Sequence, residues 1–282
     1  MAPDGGVPHT VPPPLERAWP VLNGRVQTRS LEAHVVDHCN LSCAGCCSLS
    51  PALPPRFTRP EDLARDLDLA KKTVAPRVFK LVGGEPLLHP EVVALARVAR
   101  RSGVAPEVSL TTHGFLLERA PDALFDALDA LTVSLYPRPA LPEDAIAHIT
   151  ARARAHGVRL NWKRQDHFVT MDRAARCEDP EENRRVWDRC WLRERCHLVR
   201  DGYFYACTRP VHFGSYHGAA FDPRGDGVPL EPTDSALPRV LAYLSRPEPL
   251  AACALCLGGD APLAPHRLLS RAELLALRGG RG

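Results

Sequence analysis

Apolar and polar positions in this chain follow two periods that take turns. Short runs rich in Val, Leu and Phe predict strands at 31–36 (LEAHVV), 77–84 (RVFKLVGG), 107–114 (EVSLTTHG), 130–137 (ALTVSLYP) and 158–163 (VRLNWK). Between them, apolar residues at helical spacing predict helices over 59–75, 90–103, 122–128 and 143–157, with Pro60 suited to a first turn and Gly103 to a helix stop. Strands alternating with helices at this spacing imply parallel strands joined by right-handed crossovers. The pattern fades near Arg164. The fold class is therefore α/β, a partial (β/α) barrel of about five to six parallel strands.

Beyond that point the pattern changes. Residues 171–196 are charged, Arg-rich and in part helical. Asp201-Gly202 between HLVR and YFYAC is a hairpin signal, and it leads into a small hairpin-and-helix unit. A Pro- and Gly-rich stretch from Arg209 to about Pro238 precedes one more helix, ALPRVLAYLSRP, and then CALC and a basic tail. Before the first strand, the Pro- and Gly-rich start reads as a loose arm. The expected organisation is an arm over 1–29, a barrel over 30–165 and a C-terminal unit over 166–282.

Charge and composition then exclude several classes. A net charge of +3 on 36 basic and 33 acidic residues gives no single-sign field for nucleic acid. The N-terminus lacks a secretory signal and no run approaches a membrane span, so a cytoplasmic location is expected with no membrane partner. In a reducing cytosol, ten cysteines point to metal binding or catalysis rather than disulfides.

Four of those cysteines crowd the stretch after the first strand, HVVDHCNLSCAGCCSLSP. Cys39, Cys43 and Cys46 are spaced C-x-x-x-C-x-x-C, and three close thiolates suit an iron–sulfur cluster better than zinc, which wants four ligands in paired spacings. Three ligands leave one iron open to bind a substrate or cofactor. Cys47, adjacent to Cys46, reads as packing. At the second strand end stands Gly83-Gly84-Glu85-Pro86, where two glycines permit close backbone approach. Thr111, Thr112 and His113, Ser134, and Asn161-Trp162 end the next three strands. Functional groups gather at strand ends in such barrels, so one shared site is expected there.

The cysteine loop together with GGEP resembles the radical S-adenosylmethionine (radical SAM) superfamily. That resemblance implies a 4Fe-4S cluster on Cys39, Cys43 and Cys46 whose open iron chelates S-adenosylmethionine, and a 5′-deoxyadenosyl radical that abstracts substrate hydrogen. It further implies that Gly83, Gly84 and Glu85 contact the methionine amine, that Thr111 and Thr112 form the third-strand element and that Ser134 meets the ribose. His113 replaces the usual Asn of that element, and Gly45 stands where the family has an aromatic residue.

Cys190, Gly202, Cys207 and then Cys253 and Cys256 resemble the twitch module, the shortened SPASM domain, which implies a second, auxiliary 4Fe-4S cluster on Cys190, Cys207, Cys253 and Cys256. Hairpin pairing would set Cys196 opposite Cys207, so Cys196 competes with Cys190 for one place; spacing favours Cys190. The thiol left over, or Cys177, is a candidate hydrogen-atom donor to a substrate radical. The layout resembles radical enzymes of antibiotic biosynthesis acting on sugars, aminocyclitols or aminoglycosides, and Asp166, His167, Asp172 and Glu178 are candidate partners for substrate amines. Epimerisation of a carbon centre is the leading expectation. Two-electron dehydrogenation, peptide modification and cluster carriage without catalysis are the alternatives. An electron donor such as flavodoxin or ferredoxin is the expected protein partner.

Overall fold

In a computed structural model, residues 19–233 and 235–279 are described. The loose arm expected over 1–29 falls outside them as far as residue 18. From there the backbone is ordered into strands. β1 (Val21–Leu22) turns through Asn23-Gly24, both at positive φ, into β2 (Arg25–Val36). β2 starts six residues before the expected strand because Thr28 and Ser30, not apolar residues, fill two of its three buried positions there, after Val26.

α1 (Pro60–Ala70) follows the cysteine loop, and β3 (Val74–Gly83) begins inside the expected helix. Pro76 lies in β3, but at that point the strand pairs only with β2, so its missing N–H leaves no ladder bond unmade. α2 (Val92–Ser102) stops at Gly103 in the left-handed conformation, as expected. β4 (Val108–Thr112), α3 (Asp122–Phe125), β5 (Ala130–Leu135), α4 (Glu143–Ala155) and β6 (Arg159–Arg164) complete the alternation.

Next come β7 (His167–Val169), α5 (Pro180–Arg189) and the hairpin of β8 (His197–Arg200) and β9 (Tyr203–Tyr205). Asp201 and Gly202 take positive φ at its turn. α6 (Arg209–His217), β10 (Val228–Pro229), α7 (Ala236–Leu244), β11 (Leu263–Pro265) and α8 (Arg271–Gly279) close the chain.

The main sheet runs β10-β9-β8-β2-β3-β4-β5-β6, with β1 also on β2, and β7 pairs β11 separately. β8 lies parallel to β2, so six parallel strands form an open partial barrel and the hairpin extends the barrel sheet itself. No described helix is long and apolar enough to cross a membrane.

Strand alternation gives the sheet two unlike faces. Leu31, Ala33, Val35, Phe79, Leu81, Leu110, Leu131 and Val133 share one apolar cluster with Leu63 and Leu67 of α1, Leu95 of α2 and Ile149 of α4. The opposite face is polar: Glu32 pairs laterally with Lys80, Lys80 with Ser109, Thr111 with Thr132, Thr132 with Asn161 and Ser134 with Lys163. A trough lined this way is built for a polar ligand. The 190–217 segment covers its β2 end, where Ser30 bonds the Arg195 carbonyl and His34 packs on His212 at 4.5 Å. Asn161 and Lys163 stay exposed at the other end.

Candidate active site

The cysteine loop leaves β2 at Asp37, whose carboxylate is clasped by Arg200 through two 2.8 Å bonds, both groups buried. Burial pushes the Cys39 thiol up to about 11, with Leu41 N–H donating to its Sγ at 3.3 Å and acting in the opposite direction. Burial, reinforced by Cys39, pushes Cys43 up to about 12. Cys46 is pushed higher still by burial, then by Cys47 and Cys43. The Tyr136 phenol, just past β5, is raised by burial and then by Cys43, Cys46 and Cys39. Left to itself this is a poor place for thiolates, and the positive charge that favours them is that of bound iron.

Among the described residues, no three His, Cys, Asp or Glu side chains converge on a point for a single metal ion. An iron–sulfur cube takes one thiolate per iron at separate corners, a chemistry that three closely spaced cysteines suit.

The GGEP turn is pressed against the root of this loop. Gly84 N–H donates to Val36 O at 2.7 Å and Glu85 N–H to His38 O at 3.2 Å. A Cβ on Gly83 would lie 2.2 Å from Val36 O, and one on Gly84 1.9 Å from His38 O. The backbone that the glycines admit so closely is therefore that of the end of β2 at Val36 and of the cysteine loop at His38. The fully buried Glu85 carboxylate accepts from Thr112 Oγ1 (2.7 Å), His113 N–H (3.0 Å) and Leu87 N–H (3.0 Å). His113 Nε2 lies 3.1 Å from the same carboxylate and 2.8 Å from Asn40 Oδ1. Glu85 thus ties the ends of β3 and β4 to the cysteine loop, and His113 carries the link.

The two threonines part company. Thr112 serves the Glu85 network, while Thr111 shares the polar face with Thr132. Ser134 lies buried on that same face beside Tyr136.

A second group of sulfurs forms around the turn at 251–256. The Cys207 thiol is raised well above its ordinary value by burial, then by Cys190, Cys256 and Cys253; Cys253 is raised by burial, then by Cys190 and Cys256; and Cys190 by burial, then by Cys256. The buried Asp226 carboxylate fixes the turn, accepting Ala251 N–H at 2.6 Å and Ala252 N–H at 2.7 Å. Cys196 adjoins this set through Cys190. Although the β8–β9 register extrapolates to Cys196 opposite Cys207, the ladder stops at Leu198–Tyr205. Burial raises the Cys196 thiol, and its charged neighbours are Glu32 and Lys80 on the polar face, then Cys47 and Cys190.

Cys177 reaches the same turn, its N–H donating to Ala254 O at 2.8 Å, and lines a cleft of about 440 Å³ with Arg246, Asp226 and Ala251; it is not among the charged neighbours of Cys207, Cys253 or Cys190. Of the candidate amine partners, Asp172 is bound to the buried Arg209, Glu178 pairs with Arg176 at 3.3 Å and Asp166 with Arg164 at 3.1 Å, while His167 is exposed in β7. Arg209 also donates to Cys47 O at 2.6 Å, joining the first cysteine loop to the strand segment that bridges Cys256.

Several residues escape a reading by motif. Glu32 and His34 were legible in principle, since a central parallel strand ordinarily runs apolar throughout. Lys80 holds Glu32 at 3.0 Å. Burial pushes the Glu32 carboxyl up, but His34 and Lys80 more than offset that and hold it at about 2. His266, Phe168 and Tyr136 reach the cysteine loop from three distant segments, and no local signal announces them.

Comparison with known proteins agrees with this geometry. Residues 34–136 match the model of the Radical SAM superfamily. That segment, which carries the three cysteines and GGEP, is a radical SAM domain, and the cofactors of that family are a 4Fe-4S cluster and S-adenosylmethionine. The chain is 38% identical over 112 residues to a GTP 3′,8-cyclase of Microcystis aeruginosa (37% of this chain, 33% of that protein). With a GTP 3′,8-cyclase of Streptomyces coelicolor the identity is 33% over 135 residues (46% and 38%). The chain thus spans little more than a third of the length of these curated relatives. Similar solved structures include BtrN in complex with AdoMet and 2-DOIA (TM-score 0.45, 13% identity, 64% of this chain and 73% of that one). Another is Streptococcus suis SuiB bound to S-adenosylmethionine (TM-score 0.40, 16% identity, 49% and 34%).

Proposed function

We propose that this chain is a radical SAM enzyme that inverts a carbon centre of a sugar, aminocyclitol or aminoglycoside-like metabolite. What supports this reading is the Cys196 thiol, whose charged neighbours are led by Glu32 and Lys80 of the polar face of the barrel, ahead of Cys47 and Cys190. Burial keeps that thiol protonated. Only an S–H, not a thiolate, can give up a hydrogen atom.

S-adenosylmethionine bound at the cluster supplies the 5′-deoxyadenosyl radical that removes hydrogen from the substrate carbon. Cys196 then returns a hydrogen atom to the opposite face of that carbon. Its sulfur is left one electron and one proton short, and an external donor such as flavodoxin or ferredoxin and the solvent restore them. The polar trough of Glu32, Lys80, Thr111, Thr132 and Asn161 holds hydroxyl and amine groups by hydrogen bonds. In this reading Cys190, Cys207, Cys253 and Cys256 hold a twitch-like auxiliary cluster, and Cys177 has no part.

A second reading, nucleotide cyclisation, has support in the identity of 33–38% to GTP 3′,8-cyclases. The test incubates the anaerobically reconstituted protein, reductant and S-adenosylmethionine in heavy water with a panel of aminoglycosides and aminocyclitols, and separately with GTP. Epimerisation gives 5′-deoxyadenosine and a product one deuterium heavier, and Cys196→Ala abolishes deuterium uptake without loss of iron. A product two hydrogens lighter means dehydrogenation, consumption of GTP alone means cyclisation, and either outcome overturns the proposal.

A further inference from the structure

The C-terminal segment 263–269 crosses the first cysteine loop and is fixed on both sides. Toward β7 it pairs Leu263 with Val169, Ala264 with Phe168 and Pro265 with His167, and His266 N–H donates to Asp166 O at 2.8 Å. Toward the cysteine loop, Ala44 N–H donates to Arg267 O at 2.9 Å and Leu269 N–H to Ser42 O at 2.7 Å, with Cys43 opposite Leu268. Between these two seams the His266 side chain is turned inward, 7% exposed. It stacks on Tyr136 (4.5 Å between centroids, 15° between planes) and meets the edge of Phe168 at 5.1 Å. Its Nε2 lies 3.2 Å from Cys43 Sγ, and its Nδ1 is buried without a partner.

We propose that His266 donates a hydrogen bond from Nε2 to the Cys43 sulfur of the bound cluster and so sets that cluster's reduction potential, the 263–269 strap and its aromatic neighbours serving to aim the ring. A cluster-ligating sulfur carries no proton and only accepts, so the ring proton must sit on Nε2. The unpartnered Nδ1 leaves that tautomer uncontested. A hydrogen bond to a ligand sulfur withdraws charge and makes the cluster easier to reduce. His266 is a positioning and tuning residue: it acts on the reaction through Cys43. The inference rests on the radical SAM domain and not on epimerisation.

The experiment compares reconstituted full-length protein with His266→Phe and His266→Leu, which lose the donor, and His266→Gln, which keeps one. Iron per chain is measured first. An EPR-monitored reductive titration then follows the cluster signal that changes when S-adenosylmethionine is added. The apolar variants are expected to bind iron as the wild type does and to shift the midpoint to more negative potential, with Gln returning part of the shift. An unshifted midpoint in an iron-replete apolar variant overturns the proposal. So does failure of both apolar variants to take up iron, which would make the strap an assembly element only. A wild-type protein without any S-adenosylmethionine-responsive signal would instead remove the radical SAM assignment, a distinguishable failure.

Discussion

Replacing Gly84 by alanine places a methyl group 1.9 Å from the carbonyl oxygen of His38 and 2.4 Å from its carbonyl carbon. Carbon and oxygen rest comfortably at about 3.3 Å or more, so the two backbones must part by roughly 1.4 Å. Neither neighbour is the free end of a side chain. The separation breaks the bonds from Gly84 N–H to Val36 O (2.7 Å) and from Glu85 N–H to His38 O (3.2 Å). Two net hydrogen bonds at about 1 kcal/mol each and an overpacking cost of about 1–3 kcal/mol give about 3–5 kcal/mol. Gly103→Ala is the control: φ there is +63° with nothing within 4 Å of the new methyl. It pays only for the left-handed backbone, about 1–2 kcal/mol. Urea unfolding of the iron-free proteins measures both costs, and iron uptake reports the consequence, since His38 directly precedes Cys39, a proposed ligand. Gly84→Ala is expected to lose about two to three times as much stability as Gly103→Ala and to bind markedly less iron at the first site. Equal losses for the two variants would refute the reasoning that Gly84 exists to seat β3 on the cysteine loop.

The remaining predictions concern the supports of the two sulfur groups. Asp226→Ala frees the Ala251 and Ala252 amides at the 251–256 turn, so iron per chain should fall to about half while the S-adenosylmethionine-responsive signal persists. Asp37→Leu or Arg200→Leu alone should cost about 3–5 kcal/mol in urea unfolding, because each strands a buried charge, and the double variant should recover much of it. His197 is held down to about 4 by burial, while in the unfolded chain it titrates near 6.5. The unfolded state then binds more protons between those values, so stability falls as pH drops from 6.5 to 4, and His197→Gln should flatten that fall by up to ~1.4 kcal/mol per pH unit.

Most of the barrel was legible because its strands and helices carry their own period. The cysteine loop and GGEP were legible because ligand chemistry demands fixed residue types at fixed spacing. What stayed hidden lacks a local signature. The start of β2 buries Thr28 and Ser30, so its alternation does not look apolar. α6 lies in a Pro- and Gly-rich stretch where Pro210 simply occupies a first turn. The joining of β8 to β2 is a pairing between segments some 165 residues apart, and no window contains both. The surroundings of Cys196 were likewise out of reach, since the register alone sets it opposite Cys207. The ladder in fact ends at Leu198, and Glu32 and Lys80 come from strands far away in sequence to act on the Cys196 thiol.

The central claim is that Cys39, Cys43 and Cys46 hold a cluster on whose open iron S-adenosylmethionine is cleaved. Its most direct test is low-temperature EPR of the reduced, anaerobically purified protein before and after S-adenosylmethionine, beside the variant with all three cysteines changed to alanine. The account predicts a 4Fe-4S signal in the native protein that shifts on adding S-adenosylmethionine, accompanied by 5′-deoxyadenosine, with shift and product both absent from the variant. The same shift and the same product from the variant would contradict it.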